Sequence, residues 1–262
     1  MIDIHCHLLP GIDDGPATAE DALALARALV ADGVTQVVLT PHVFPGRYEN
    51  WRSSIADEFE RFQSLVAAEG IALGMLWAGE VRLTPEVLDL LARGELPFLG
   101  EVGGYRTMLL EMPDSQVPLG ALNFVRHLLA AKVRPVIVHP ERNRGVMEKP
   151  DRLRPLVEAG CFVQLTAGSL TGYFGARAQA VATEIIQHNW AQAVASDAHN
   201  LAGRQPRMRE AAAWLTKHFD AATARELTVL GPAGLCNHNA AVNARGSARA
   251  APGRGSKPLG TP

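Results

Sequence analysis

Short apolar runs rich in Val, Ile and Leu recur along this chain, at 2–7, 34–40, 71–78, 107–111, 135–138, 161–166 and 193–196. Longer stretches with apolar residues at helical spacing separate them. Strands that alternate with helices run parallel, because each helix carries the chain back to the edge where the previous strand began. The pattern predicts an α/β fold of seven βα units. Helices are expected at about 19–32, 55–69, 85–94, 119–131, 151–159, 176–188, 208–218 and 221–230. Local chemistry marks their ends: Thr18 and Asp21 have capping-box spacing, Ser54 is an N-cap candidate, and Pro85 suits a first helical position. Gly33, Gly70, Gly94 and Gly160 follow expected last turns.

Nearly every apolar run stops at a residue that can bind a metal. The first run closes on His5-Cys6-His7, and alternation along a strand puts both imidazoles on one face with Cys6 on the other. Its following loop holds Asp13 and Asp14. Later runs end in His42, Glu80, Glu111, His139 with Arg142, and Asp197 with His199. Only the sixth run gives neither an imidazole nor a carboxylate. Taken singly, each residue has a plainer reading: Asp14 as a turn residue, Glu80 as a solvated carboxylate, His139 as a packed core histidine. Their joint occurrence is harder to explain by chance. If the strands close into a barrel, these ends meet at one mouth, where barrel enzymes place their chemistry.

The donor set narrows the metal. Imidazoles and carboxylates without thiolate favour manganese, iron, zinc or cobalt. About nine donors exceed the roughly four to six that one ion uses, so two or three ions are expected, with a bridging carboxylate. Ions about 4 Å apart can clamp a displacement at phosphorus and activate water near neutral pH. His127, His188, His218 and His238 fall on helices or near the C-terminus and read as surface or structural residues.

Composition sets the remaining bounds. The 262 residues are 47% hydrophobic, enough for one large domain, expected over 1–242. A net charge of −2 argues against a nucleic-acid partner. Three distant cysteines argue against a disulfide framework and fit a reducing compartment. The chain opens directly into a strand and has no apolar run near the ~20 residues that cross a bilayer, so a cytoplasmic location without membrane insertion is expected. Residues 243–262 carry four basic and no acidic side chains with four glycines and three prolines, and read as a flexible basic tail.

The opening Met1-Ile2-Asp3-Ile4-His5-Cys6-His7-Leu8-Leu9-Pro10-Gly11-Ile12-Asp13-Asp14-Gly15-Pro16 resembles the polymerase-and-histidinol-phosphatase (PHP) superfamily. More narrowly, the chain is similar to the manganese-dependent bacterial tyrosine-protein phosphatases of capsule and exopolysaccharide clusters. Thr40-Pro41-His42, Ala78-Gly79-Glu80, Leu109-Leu110-Glu111, Val138-His139-Pro140-Glu141-Arg142 and Ala195-Ser196-Asp197-Ala198-His199 carry the likeness, with Arg204 beyond. It covers about residues 1–230. The resemblance implies a distorted (βα)7 TIM-like barrel with three divalent ions, manganese first among them. One ion would take His5, His7, Glu80 and Asp197. A second would share Glu80 and take Glu111 and His139, and a third would take Asp14, His42 and His199. Arg142 matches the arginine that meets the phosphate, and Arg204 would contact substrate or brace the 197–199 loop. After Leu230 the chain departs from relatives, which usually begin a last helix with Asn-Pro.

The implied reaction is hydrolysis of a phosphotyrosine ester by water activated on the ions, with His42 or His199 assisting the leaving group. The implied substrate is the tyrosine-rich tail of a membrane-associated autokinase. A cysteine-nucleophile phosphatase needs Arg six positions after Cys, and the chain has Ile12, Ala167 and Val242 there. Two alternatives stay open: a PHP phosphoesterase for a small molecule such as histidinol phosphate, and a non-catalytic regulator that keeps the fold. Homo-oligomer formation is left open too.

Overall fold

The structure is a computed structural model that describes residues 1–244. Its strands in chain order are β1 (Ile2–Cys6), β2 (Gln36–Leu39), β3 (His42–Val43), β4 (Gly74–Trp77), β5 (Glu80–Arg82), β6 (Gly100–Val102), β7 (Tyr105–Glu111), β8 (Val133–Val138), β9 (Phe162–Thr166) and β10 (Ala193–Ala195). The larger helices are α1 (Ala19–Ala31), α2 (Arg52–Ala68), α3 (Glu86–Arg93) and α4 (Ala121–Ala130). After them come α5 (Arg144–Glu148), α6 (Arg154–Glu158), α7 (Ala167–Leu170), α8 (Ala176–Gln187) and α9 (Met208–His218). Short helices α10 (Ala221–Arg225), α11 (Gly231–Leu235) and α12 (Asn239–Ala244) end the described chain.

Nine of the ten described strands make seven barrel positions. β2 and β3 are one strand bent at Thr40-Pro41, and β4 and β5 are one strand bent at Ala78-Gly79. The same parallel register runs through both halves, from Gln36 opposite Gly74 to His42 opposite Glu80. The bends follow from chemistry: Pro41 lacks an N–H for the ladder, and at Gly79 a Cβ would stand 2.6 Å from the Pro97 ring. The parallel order then continues β5, β7, β8, β9, β10. Backbone bonds close the ring: Asp197 N–H donates to His5 O at 2.8 Å and His7 N–H to Ala198 O at 2.9 Å. The fold is the distorted seven-stranded α/β barrel that the resemblance implies, built from the seven βα units that the alternation predicts. β6 is an addition, antiparallel to β7 across a Gly103-Gly104 turn.

Two apolar cores share the strands. Outward side chains such as Val37, Leu39, Leu110, Ile137 and Val163 pack beneath the helices. Inward ones, including Ile4, Val38, Ala78, Leu109, Val136 and Ala193, fill the barrel. Leu235 and Cys236 join the inner set, so residues after Leu230 plug the end of the barrel. Asn239 and Asn243 pin that plug through side-chain bonds to the carbonyls of Trp77 and Phe98.

Several expected boundaries shift. Ser54 is not the N-cap of α2 but its third residue, where its Oγ accepts the Trp51 N–H at 3.0 Å. The expected 151–159 helix is a 3-10 turn at Pro150–Arg152 followed by α6, since Pro155 removes a helical donor. The 221–230 helix loosens into a π turn at Glu226–Leu230. Asn243 and Ala244 end α12 rather than beginning a tail, and the remainder of the expected tail lies outside the described residues.

Candidate metal centre

β1 carries one extra residue relative to β2 between Asp3 and Cys6. This β-bulge resets the alternation: Ile4 points into the barrel core, Cys6 packs outward, and His5 and His7 face the mouth. Asp3, wholly buried, holds the bulge by accepting the N–H groups of His5 (3.2 Å) and Ser196 (2.9 Å).

Each of the two imidazoles is oriented through its far nitrogen. His5 Nδ1 lies 2.8 Å from Gln164 Oε1. The Gln164 amide nitrogen is used on Leu165 O at 2.7 Å, so its oxygen must accept from His5. His7 Nδ1 lies 2.7 Å from Asp13 Oδ2. With protons on both Nδ1 atoms, the Nε2 lone pairs confront each other at 3.2 Å. Two lone pairs repel; a cation between them attracts both. Glu80 Oε2 joins them at 3.3 and 3.2 Å, and Asp197 Oδ1 at 3.5 and 3.6 Å. An ion with bonds of about 2.1 Å spaces its adjacent ligands about 3.0–3.4 Å apart.

Glu80 also links this group to its neighbours. Its Oε1 lies 2.7 Å from His139 Nε2, and its Oε2 lies 3.0 Å from His42 Nδ1. Glu111 spends Oε1 on Arg82 at 2.8 Å and turns Oε2 toward His42 Nδ1 at 3.9 Å. Beyond His42, Asp14 Oδ1 sits 3.4 Å from His42 Nε2 and 3.2 Å from His199 Nε2. Thus all nine predicted ligands converge, and His42 stands between two groups with one nitrogen toward each. Two buried oxygens with no hydrogen-bond partner, Glu111 Oε2 and Asp197 Oδ1, belong to this network. Such orphans are costly unless something binds them. The donor set fits divalent cations.

Electrostatics gives the same picture. Burial opposes charge on His7, yet Asp13 raises it to about 9. Burial likewise opposes charge on His42, which Glu80 and Asp14 bring up to about 11. Burial and the Glu80 charge push Glu111 up to about 7. Burial, reinforced by the His7 charge, holds His199 down to about 4. The anionic surroundings demand positive charge, and without an ion protons supply it.

Arg142 and Arg204 both grip Asp197 Oδ2, and Arg204 Nη1 also lies 2.9 Å from His199 Nε2. His139 and Asp197 adopt left-handed backbone, φ 34° and 52°, a strain that concentrates at working sites. The two arginines, with Arg82, Arg47, Phe44 and Tyr48, line a cleft of about 250 Å³ over Asp14, His42, Glu80, Glu111, His139 and Asp197. All three cysteines are buried, and burial pushes Cys6 far above its usual value and Cys161 up to about 12, so neither is a thiolate. Gln164, Asp13, Asp3 and Arg82 have parts here that the strand-end pattern does not assign. Asp13 had a signal in its place beside Asp14; Gln164 had none, being uncharged.

The chain is similar to several known proteins. A tyrosine-protein phosphatase of Bacillus subtilis (strain 168), YwqE, is 37% identical over 219 residues, 84% of this chain and 85% of the relative. A Streptococcus pneumoniae tyrosine-protein phosphatase, CpsB, is 30% identical over 239 residues, 88% and 96% of the two chains. A solved structure from work on YwqE and CpsB, described as unique metal-dependent tyrosine phosphatases, superposes with a TM-score of 0.83 at 36% identity, covering 91% of this chain and 95% of its own. The phosphotriesterase homology protein of Escherichia coli shares the fold at a TM-score of 0.59 and 12% identity, covering 90% of this chain and 98% of its own. The family model for capsular polysaccharide synthesis, CpsB/CapC, matches residues 1–237, and the chain belongs to that family.

Proposed function

We propose that this chain is a metal-dependent protein-tyrosine phosphatase. Its substrate would be the phosphorylated tyrosine-rich tail of a membrane-associated autokinase, in the cytoplasm, within control of capsular or exopolysaccharide synthesis. One observation carries the reading: nine imidazoles and carboxylates converge beneath a cleft whose wall also holds Arg142 and Arg204. His5, His7, Glu80 and Asp197 would hold one divalent ion. Glu80 would be shared with a second, held by Glu111 and His139, and Asp14, His42 and His199 would hold a third. Manganese suits these donors, with iron, zinc or cobalt as alternatives. Such ions neutralise charge on phosphoryl oxygens and lower the pKa of bound water to about 7.

The chain's own groups do the rest. Arg142 and Arg204 offer N–H donors to the phosphoryl oxygens, and a guanidinium fork matches their spacing. Phe44 and Tyr48 give the cleft an aromatic side suited to an aryl ester. Tyrosinate leaves readily, with a reference pKa near about 10, and needs little proton assistance. His42 and His199 are the groups to supply it. The relatives named as tyrosine-protein phosphatases support the substrate class. No helix among the described residues is long and apolar enough to cross a membrane.

Steady-state rates on a phosphotyrosine peptide and on histidinol phosphate, before and after chelation, test the proposal. Fast, chelator-sensitive release of phosphate from the peptide, restored by manganese, is expected. A large preference for histidinol phosphate would reassign the chain to small-molecule chemistry. Turnover that survives exhaustive chelation would remove the metal from the reaction, and no turnover on any ester would leave a regulator.

A further inference from the structure

Arg142 follows β8 and Arg204 follows β10, with β9 lying between those strands. The loop that leaves β9 through α7 touches both arginine segments. We propose that Tyr173 and Phe174 in this loop are positioning residues that fix the two guanidinium groups for a phosphoryl group. What the arginines bind rests on the phosphatase reading above.

The contacts form a closed circuit. Arg142 Cζ lies 4.4 Å from the centre of the Phe174 ring. Phe174 meets Tyr173 edge to face, with centres 5.1 Å apart and planes at 82°. The Tyr173 hydroxyl donates to the carbonyl of Gly203, the residue before Arg204. Asn200 Oδ1 folds that segment by accepting the N–H groups of Ala202, Gly203 and Arg204 at 3.1, 2.8 and 3.2 Å. Both arginines then return to the same oxygen, Asp197 Oδ2.

The Asp197 oxygen tethers one nitrogen of Arg142 and leaves its plane free to turn, whereas Arg204 is also held at Nη1 by His199. Two-pronged recognition of a phosphoryl group depends on that plane. A ring stacked on the guanidinium face sets it. Neither Tyr173 nor Phe174 lines the cleft, so both act through the arginines. Gly168 in α7 makes the arrangement possible: a Cβ there would stand 2.9 Å from Phe174 Cε2. Its carbonyl also receives the Tyr173 N–H at 2.8 Å.

The test uses the full chain loaded with metal and inorganic phosphate as the probe, with affinity read by titration calorimetry. KM and kcat on p-nitrophenyl phosphate are measured beside it. Phe174→Leu keeps the bulk and removes the ring face; it should weaken phosphate by about threefold to tenfold and raise KM more than it lowers kcat. Phe174→Tyr should restore both values. Gly168→Ala, which displaces the ring without altering it, should repeat the loss and serves if Phe174→Leu folds poorly. On an Arg142→Ala background, Phe174→Leu should add nothing. Unchanged phosphate affinity in Phe174→Leu and Gly168→Ala overturns the proposal, as does an undiminished loss on the Arg142→Ala background. A wild-type chain that binds phosphate but cleaves no aryl ester defeats the phosphatase reading instead, and the binding comparison still decides the role of the loop.

Discussion

His5 and His7 occupy one strand end and face one another, but their outer partners differ. Asp13 is a carboxylate and strengthens the His7 lone pair; Gln164 is a neutral amide and orients His5 without adding charge. Removing either should leave the ring free to turn. Asp13→Ala and Gln164→Ala are each expected to weaken metal binding about 10- to 100-fold, measured by calorimetry on metal-stripped protein, with far-ultraviolet circular dichroism unchanged. Wild-type affinity in both variants would mean that the rings are held by packing alone. These two residues also mark how far the sequence could be read. The nine candidate ligands were legible because metal chemistry selects recognisable side chains at a recognisable place, the end of an apolar run. Gln164 was not, because the sixth strand offers an uncharged amide whose role exists only once the closed barrel brings β9, one strand beyond β10, within reach of β1. Asp3 was hidden for a related reason: its work is to hold a bulge, and a bulge has no sequence signature until the neighbouring strand fixes the register.

At the level of elements, the alternation of strands and helices was plain, while the breaks within strands were not. Thr40-Pro41 and Ala78-Gly79 each sit inside one barrel position, and the chain resumes in the same register beyond them. Periodicity counts such a strand once; the hydrogen-bond ladder divides it. The bends place His42 and Glu80 opposite one another and lead into the hairpin from Phe44 to Tyr48, whose backbones exchange bonds of 3.1 and 2.8 Å. Gly46, at φ 84°, supplies the left-handed turn residue. Asn50 ties the hairpin down by donating 2.9 Å bonds to Ile12 O and His42 O, which joins it to the Asp13-Asp14 loop. Tyr48 stacks on His42 with planes 6° apart. If this hairpin is the aromatic wall for the substrate ring, replacing both Phe44 and Tyr48 with alanine should lower kcat/KM for phenyl phosphate about threefold to tenfold more than for a small alkyl phosphate. Equal losses on both substrates would mean that the hairpin only supports His42.

Across the whole molecule, the clustered charges couple metal binding to proton uptake and to stability. Without metal, His7 titrates at about 9 in the folded chain against an ordinary value of 6.5, so it adds stability that is complete below pH 6.5 and lost as pH rises through 9. Glu111, raised to about 7, adds a loss of the same sign as pH passes neutrality. His199 works the other way, since its value falls to about 4, but its contribution is complete above pH 6.5. Between pH 6.5 and 9 the metal-free protein should therefore lose thermal stability steadily. Metal reverses the requirement, because it needs the lone pairs that those protons occupy. Its binding should release protons at pH 7, visible as a dependence of the calorimetric heat on the ionisation enthalpy of the buffer, and its affinity should rise with pH. The metal-loaded protein should keep its melting temperature over the same range. A metal-free melting temperature flat from pH 6.5 to 9, together with no proton release on loading, would show that these imidazoles are already neutral and that the anionic cluster does not set their charge.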